Sequence, residues 1–514
     1  MNTQPPTGHA HPGDAAAPVH SHLDRHAETR PGAPAMRDST GIVLDWAGYR
    51  AASEEAASLL SQAGVGHGDR VMIVAENCAA LAAFHFATSR LGARAVPVNA
   101  RMKPAEIARI VAHATPRATV YTLAASPDAA AHANAAGADT HQTACGLVGL
   151  TSHTEASPED ADDTAVILYT TGTTGAPKGV MLTHGNLNFA GRASAELRGM
   201  GPDERLYGVL PLTHVFGLAS MLTAGAVAGA EVQLEARFAP DRLLSALEAG
   251  VTILPAVPQM HAVLMAHTEA QGIETLRDAR LRYVSSGAAP LDPAWKRKAE
   301  AFYGLPLQNG YGMTETTAGV SATRNRIGDP DTSVGPPLTG CEIRIADPSA
   351  EGVGEILTRG PHVMKGYYRA PDLTAETLDA EGWLSTGDLG RIDAEGRLHV
   401  VGRKKELIIR SGFNVYPPEV EAALNGHSDV VQSAVIGRAR NGNEDILAFV
   451  QATRPDLDTS LLAEFVAASL SAYKRPSAIF VVDALPAAAT GKILKHKLLD
   501  TFAAEIAAHD AKGG

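Results

Sequence analysis

Residues Tyr169 to Val180 read YTTGTTGAPKGV and follow directly on the apolar run AVIL, Ala165 to Leu168. The stretch holds four threonines, three glycines, one proline and one lysine, a composition suited to backbone wrapped around phosphate. It departs from the common nucleoside-triphosphate loop, in which glycine immediately precedes the lysine, because Pro177 precedes Lys178. AVILYT, Ala165 to Thr170, reads as a buried strand that ends at this loop. Gly172, Gly175 and Gly179 let backbone N–H groups turn inward as an anion-binding nest. Thr170, Thr171, Thr173 and Thr174 add hydroxyls, and Lys178 adds a point charge. A plain Gly/Thr surface linker is the alternative, against which stands a lysine fixed by proline and flanked by glycines.

Two further segments repeat the arrangement. RLRYVSSGAAPLDPAWKRKAEAFYG, Arg280 to Gly304, reads as a strand, a small-residue turn and a helix, with Asp292 as N-cap, Pro293 in the first turn and Gly304 as the stop. LPLQNGYGMTET, Leu305 to Thr316, follows as another strand and another polar loop. Short β-branched runs alternating with helical stretches predict parallel α/β layers. Ligands in such sheets sit beyond the C-terminal ends of the strands. Near residue 403 the composition turns basic, in GRLHVVGRKKELIIRSGFNVYPPEVEAALNGH. Two short strands and a proline-started helix are expected there, and the remaining length of about 110 residues suits a small α+β domain.

The 514-residue chain exceeds one ordinary core, so two or more domains are expected. With 45% hydrophobic and 19% charged residues its balance is globular. A net charge of -12 argues against a nucleic-acid surface. Cys78, Cys145 and Cys341 are far apart and make no zinc or disulfide pattern, which fits a reducing cytoplasm. The stretch before Leu23 reads as a disordered polar tail with no secretory signal. Val215 to Ala230, the longest apolar run, is shorter than the roughly 20 residues of a membrane span and reads as a buried core helix.

Several residues carry chemistry in their own right. Asn309 offers an amide to a base edge, Tyr311 a stacking face, Thr314 a hydroxyl and Glu315 a lone carboxylate. Beside a phosphate loop such a carboxylate suits Mg²⁺, a hard ion that prefers oxygen; by itself it reads as a helix-cap acid. STGDLG puts Asp388 in a Gly-flanked turn, where it can accept both hydroxyls of a ribose or serve only as a turn cap. Arg403 follows as a contact to the same sugar or a phosphate. Lys492, after Thr490 and Gly491, gains meaning only if a domain movement carries it to the phosphate. His214, in LPLTHVFG, reads from spacing alone as a core histidine.

In combination these residues resemble the adenylate-forming superfamily, and within it the AMP-forming acyl-CoA synthetases. The resemblance runs from about Leu23 to Leu499 and rests on motifs in family order: YTTGTTGAPKGV, LPLTHVFG, SSGAAPL, NGYGMTET, STGDLG and GRKKELIIRSGFNVYPPEVE, then YKRP and TGKILK. It implies a large N-terminal α/β domain of mixed and parallel sheets flanked by helices, residues 23–402, behind a tail of residues 1–22. A hinge at 403–405, with Lys405 at the family's hinge position, leads to a small mobile α+β domain, residues 406–514. It implies that ATP and a carboxylate give an acyl-adenylate and pyrophosphate, and that the CoA thiol then releases AMP. By that resemblance the loop from Thr170 to Lys178 holds the β,γ-phosphates. Gly287, Ala288, Ala289, Asn309, Gly310, Tyr311 and Gly312 frame adenine and the acyl end. Thr314 meets the α-phosphate, Glu315 and Thr170 lie near Mg²⁺, and Asp388 and Arg403 hold the ribose. Lys492 bridges carboxylate and α-phosphate, His214 stands by the acyl and thiol paths, Gly412 lines the pantetheine tunnel, and Tyr473 and Arg475 meet the CoA nucleotide. One departure is LPAAATGK, where Ala487 and Ala488 replace the basic residue this family commonly carries after the proline; it bears on how the Lys492 loop is anchored.

The acyl pocket is expected from His214, Phe216, Val257, Met260, Gly287 and Gly312. No Arg or Lys occurs between Val251 and Met265, as a second substrate carboxylate would require, and no Asp or Glu occurs between Leu206 and Ala230 to pair an α-amine. An apolar acid is therefore expected: medium- or long-chain fatty, alicyclic or aromatic. The expected partners are that acid, ATP and CoA, without nucleic acid or a membrane span, and a homodimer stays open. Rival readings are an enzyme that loads a carrier protein, a luciferase-like oxidation of the adenylate, and a non-catalytic relative that keeps the pocket.

Overall fold

A strand that is apolar on both faces must be covered on both, and RVMIVA (Arg70–Ala75), apolar at every position after Arg70, is buried at all six positions. The computed structural model, which describes residues 17–153, 162–171, 177–276, 280–287, 291–410, 413–440, 443–487 and 493–512, makes this strand the middle of an eight-stranded sheet. The chain forms two units, one of residues 1–254, 312–319 and 360–376, the other of residues 255–311, 320–359 and 377–514.

In the first unit, Ala118–Tyr121, Arg70–Ala75, Arg94–Asn99 and Thr164–Thr171 run parallel. Antiparallel strands close both flanks: Gly146–Ser152 and Asp139–Thr143 on one side, Pro177–Thr183 and Gly366–Tyr367 on the other. Helix Ala79–Arg90 is buried at every position from Ala79 to Ser89, as an all-round apolar helix must be. Its N-terminus lies beside a second sheet, in which Pro34–Asp38, Glu231–Leu234 and Arg205–Gly208 are parallel: the Ala79 N–H donates to Asp38 Oδ2 at 2.8 Å. The apolar run after His214 is buried and helical but not uniform. A wide π-type turn over Leu218–Thr223 interrupts it, and Thr223 Oγ1 donates to the Leu218 carbonyl at 2.9 Å.

In the second unit, Tyr283–Ser286 and Leu307–Tyr311 are parallel and joined by helix Pro293–Tyr303. The predicted punctuation is in place. Asp292 caps the helix by accepting from the Trp295 N–H at 2.8 Å, and Gly304 ends it in the left-handed region, at φ 65°. Strands Glu342–Ala346, Gly354–Arg359, Leu384–Ile392 and Leu398–Arg403 form an antiparallel sheet.

From Ile408 onward the chain builds cores of its own. Hairpin strands Val430–Arg440 and Asn443–Ala452 pair with each other, and Ala478–Val482 adds in parallel. The two-residue period of a strand divides this sheet: Ile446, Ala448 and Val450 face Val420, Leu424 and Leu462, while Leu447 and Phe449 join Phe480, Leu498 and Phe502. The expected pair of short strands and proline-started helix are Ile408–Arg410, Phe413–Val415 and Pro417–Asn425. Among the described residues no helix is long and apolar enough to cross a membrane.

Candidate active site

The opening motif is flanked by two antiparallel strands rather than by a strand and a helix. Strands Thr164–Thr171 and Pro177–Thr183 are antiparallel, with Tyr169 opposite Gly179, Thr170 opposite Lys178 and Thr171 opposite Pro177. Directly opposed residues project from one face, so a hydroxyl and an ammonium stand together at the mouth of the loop. Gly172, Thr173, Thr174 and Gly175 lie outside the described residues. A Cβ on Gly179 would meet Ile167 Cγ2 at 2.8 Å and the Tyr169 ring at 3.2 Å, so the third glycine makes room for its cross-strand neighbour. Tyr169 is in turn tied through its hydroxyl to His113 Nδ1 at 2.7 Å. The flanking strands bring the charge of Lys178 to this point, its Nζ 5.6 Å from the centroid of the Tyr367 ring.

Glu315 sits in the same unit, in the tight turn Thr314–Thr316, and is only 8% exposed. The turn is closed by the Met313 N–H on Thr316 Oγ1 at 2.9 Å and pinned by Met364 N–H on the Glu315 carbonyl at 2.9 Å. Gly312 precedes it, and a Cβ there would lie 1.2 Å from the Ala318 carbonyl oxygen. Tyr367 Oη donates to Glu315 Oε1 at 2.8 Å. Among the described residues no three His, Cys, Asp or Glu side chains gather to hold a metal on their own. A lone buried carboxylate therefore fits Mg²⁺, which takes one or two carboxylates and fills its shell with phosphate and water.

A second set lies in the other unit. Leu307–Tyr311 delivers Asn309, Gly310 and Tyr311 at its C-terminal end. Asn309 is buried, donates from Nδ2 to the Ser333 carbonyl at 3.1 Å and accepts from the Gly310 N–H at 2.9 Å. The amide expected to meet a base edge therefore also fixes the strand end. Gly287 closes the neighbouring strand, its N–H donating to the Ala256 carbonyl at 3.1 Å; Ala288 and Ala289 lie outside the described residues.

Asp388 is not in a turn, as its glycine neighbours suggested, but inside strand Leu384–Ile392. Gly387 has φ 72° and the ladder shifts at Leu389/Gly390, so the glycines make an irregularity in the strand. Asp388 faces Arg403 across the ladder, with Arg403 Nε 3.3 Å from Oδ1, and accepts from Tyr311 Oη on Oδ2 at 2.6 Å. Burial first, then the Asp388 charge, raises the Tyr311 phenol well above its ordinary range, so it stays a neutral donor.

His214 and Phe216 are half-buried, and the His214 Nδ1 accepts from the Phe216 N–H at 3.3 Å, so the ring caps the short helix behind it. Val257 is buried and Met260 half-buried at the start of helix Pro258–Glu269. The next residue, His261, drew no attention in the sequence although it lies inside VPQMHAVLM. It is fully buried, Nδ1 meets Tyr303 Oη at 2.8 Å and Nε2 meets the Ser285 carbonyl at 3.2 Å, and burial pushes its pKa down to about 4. A neutral ring with one donor and one acceptor thereby braces the strand that ends at Gly287. Tyr367 was missed likewise, since nothing in GYY marks a partner of Glu315.

Toward the C-terminus Lys405 is exposed in the turn Lys404–Glu406, and Lys404 Nζ pairs with Glu355 Oε2 at 2.9 Å. Gly412 and Lys492 lie outside the described residues. What flanks Lys492 is secured: Ala487 bridges Ile493, and the Leu494 N–H donates to the Pro486 carbonyl at 2.7 Å. Lys495 Nζ reaches Glu421 Oε1 at 2.7 Å and Glu406 Oε2 at 3.3 Å. Tyr473 stacks on Phe413 with ring centroids 4.7 Å apart, and Arg475 donates to the Leu470 and Ala467 carbonyls at 2.9 and 3.0 Å, closing the end of helix Thr459–Ala467.

The family model for AMP-binding enzymes matches residues 23–368, and that for the AMP-binding enzyme C-terminal domain matches residues 419–492. The chain belongs to this family and is an AMP-forming acid–thiol ligase of the acyl-CoA synthetase group, whose substrates include ATP and CoA. It is 34% identical over 487 residues to a feruloyl-CoA synthase of an Amycolatopsis species, covering 93% of this chain and 98% of that one. It is 34% identical over 522 residues to 4-coumarate–CoA ligase 5 of Oryza sativa subsp. japonica, with 96% of each covered. Its fold superposes on ATP-bound MatB from Rhodopseudomonas palustris with a TM-score of 0.82 at 30% identity, over 95% of this chain and 99% of that one. It also superposes on the O-succinylbenzoate CoA synthetase of Bacillus subtilis with ATP and a magnesium ion, at 0.79 and 29%, over 93% and 98%.

Proposed function

We propose that this ligase activates an apolar carboxylic acid, with aromatic acids foremost, and transfers it to CoA. The observation that carries the reading is the acyl stretch itself. Val251 to Met265 holds no Arg or Lys, Val257 is buried, and its one histidine is held neutral by burial. A second anionic group on the substrate would lack a counter-charge there. Two of the relatives named above are ligases of feruloyl and 4-coumarate groups, which are aromatic.

The chemistry divides between the two sets of residues. Tyr311 lies against adenine, its hydroxyl tethered to Asp388, while the Asp388 carboxylate accepts the ribose hydroxyls with lone pairs left by Tyr311 and Arg403. Thr170 and Lys178 hold the β,γ-phosphates, Thr314 the α-phosphate, and Glu315 binds Mg²⁺. Magnesium, when bound, neutralises phosphate charge. The substrate carboxylate attacks the α-phosphorus in line and pyrophosphate leaves, with Lys492 bridging the two reacting groups. The CoA sulfur then attacks the acyl carbonyl and AMP departs. Positioning and charge neutralisation supply most of the acceleration in such a displacement. Lys405, exposed in its turn, is the hinge about which residues 406–514 move between the half-reactions. Tyr473, stacked on Phe413, and Arg475 meet the CoA nucleotide.

The test is pyrophosphate release with ATP and Mg²⁺ across fatty, alicyclic, aromatic, dicarboxylic and sulfonated acids, each with and without CoA. CoA-dependent turnover confined to apolar acids supports the reading. Preference for a dicarboxylate or a sulfonate overturns it.

A further inference from the structure

Lys178 and Glu315 carry opposite charges, and the proposed reaction needs both, one for phosphate and one for the metal. Among the described residues neither enters an ion pair. What they share is Tyr367. Its hydroxyl donates to Glu315 Oε1 at 2.8 Å, and the Lys178 ammonium lies 5.6 Å from the centroid of its ring. The tyrosine is 6% exposed. Strand Gly366–Tyr367 pairs antiparallel with Pro177–Thr183, Tyr367 opposite Val180, only two residues from Lys178. Its own N–H donates to Thr374 Oγ1 at 2.9 Å, and the preceding Lys365 N–H donates to the Met181 carbonyl at 3.0 Å. The backbone that carries the ring is thus held by the strand that carries the lysine and by Thr374.

We infer that Tyr367 is a positioning residue for the phosphate and magnesium end of the site: its hydroxyl aims the Glu315 carboxylate while its ring face holds Lys178. This rests on the roles proposed above for those two residues. A direct Lys178–Glu315 ion pair would neutralise both charges and compete with nucleotide and metal. A phenol gives each a neutral partner instead. The O–H engages one carboxylate oxygen and leaves the anion its charge and further lone pairs, and the π face attracts the ammonium without neutralising it. Both charges stay available and preorganised, which is what an electrostatic site requires.

The experiment is equilibrium calorimetry of ATP binding to the full chain, with and without Mg²⁺, for wild type, Tyr367→Phe and Tyr367→Leu. Tyr367→Phe keeps the ring and removes the hydroxyl, and should weaken binding in the presence of Mg²⁺ by about tenfold while leaving metal-free ATP within about twofold. Tyr367→Leu removes the ring as well and should also weaken metal-free ATP. In a Glu315→Gln background the Tyr367→Phe change should add less than about twofold, because its effect passes through the carboxylate. Tyr367→Phe with wild-type affinity in Mg²⁺, or an additive loss in the double variant, overturns the inference and leaves the ligase reading intact. A wild-type chain that binds no ATP in Mg²⁺ overturns the phosphate-site roles and this inference with them. Tyr367→Leu keeps the question answerable through metal-free binding if Tyr367→Phe proves unstable.

Discussion

Asp388 and Arg403 stand directly opposite each other on neighbouring antiparallel strands, with Arg403 Nε 3.3 Å from Asp388 Oδ1 while Tyr311 Oη holds Oδ2 at 2.6 Å. A carboxylate gripped on both oxygens keeps one orientation, which is what two adjacent ribose hydroxyls need. Asp388→Ala should lower kcat/KM for ATP by about 10²-fold or more, the value of two charge-assisted hydrogen bonds. Arg403→Met should cost less, since Arg403 is half exposed. An Asp388→Ala enzyme with unchanged kcat/KM for ATP would remove the ribose assignment.

Gly312 has no room for a side chain, because its Cβ would fall on the Ala318 carbonyl oxygen. That obstacle is backbone, and Thr317 and Ala318 already have φ of 48° and 85°, so the turn cannot yield cheaply. Gly312→Ala should displace Thr314 and Glu315 and reduce pyrophosphate release at least about 10²-fold. The far-ultraviolet circular dichroism should remain that of wild type. Full activity would show that the turn does not carry the phosphate contacts.

Lys492→Ala should stop adenylate formation yet leave turnover of supplied acyl-adenylate with CoA, if the lysine acts only in the first half-reaction. Equal loss of both half-reactions in stopped-flow assays would reject that separation. The nearby contacts of Lys495 to Glu421 and Glu406 do not involve the Lys492 side chain and survive this substitution.

Acid sensitivity should come from buried histidines. Burial pushes His261 from 6.5 down to about 4. Below about pH 6.5 the unfolded chain takes up a proton that the folded chain refuses until about pH 4. Stability is therefore full above that window, falls as pH drops through it and levels off below. For one fully buried ring the loss approaches about 3 kcal/mol, and His26, His184 and His362, each pushed to about 4, act in the same direction. Urea melts between pH 7 and pH 5 should show the decline, shallower in His261→Gln than in wild type. Parallel slopes would exonerate His261.

The local readings of the chain came through where the physics is local. Asp292 and Gly304 bound their helix because a cap needs only its own next few residues. The buried strand through Leu168 followed from an apolar run, and the turn after Tyr311 from glycine content. The reading of Asp388 went astray for a related reason. Glycines on either side signal a turn in sequence, whereas here a strand absorbs them as a bulge. That the Asn309 amide also ties itself to the Ser333 carbonyl is not written beside it in the chain.

Composition and motif order were enough to read the α/β class and the family, since these depend on short segments that keep their chemistry wherever the chain carries them. Packing alone decided which distant side chains hold the candidate site residues in place. Tyr311 and Asp388 are 77 positions apart, Glu315 and Tyr367 are 52 apart, and His261 and Tyr303 are 42 apart. Such pairs arise because burial obliges every polar group to find a partner in whatever neighbour the folded backbone brings within 3 Å or so, and no periodicity along the chain records that neighbour.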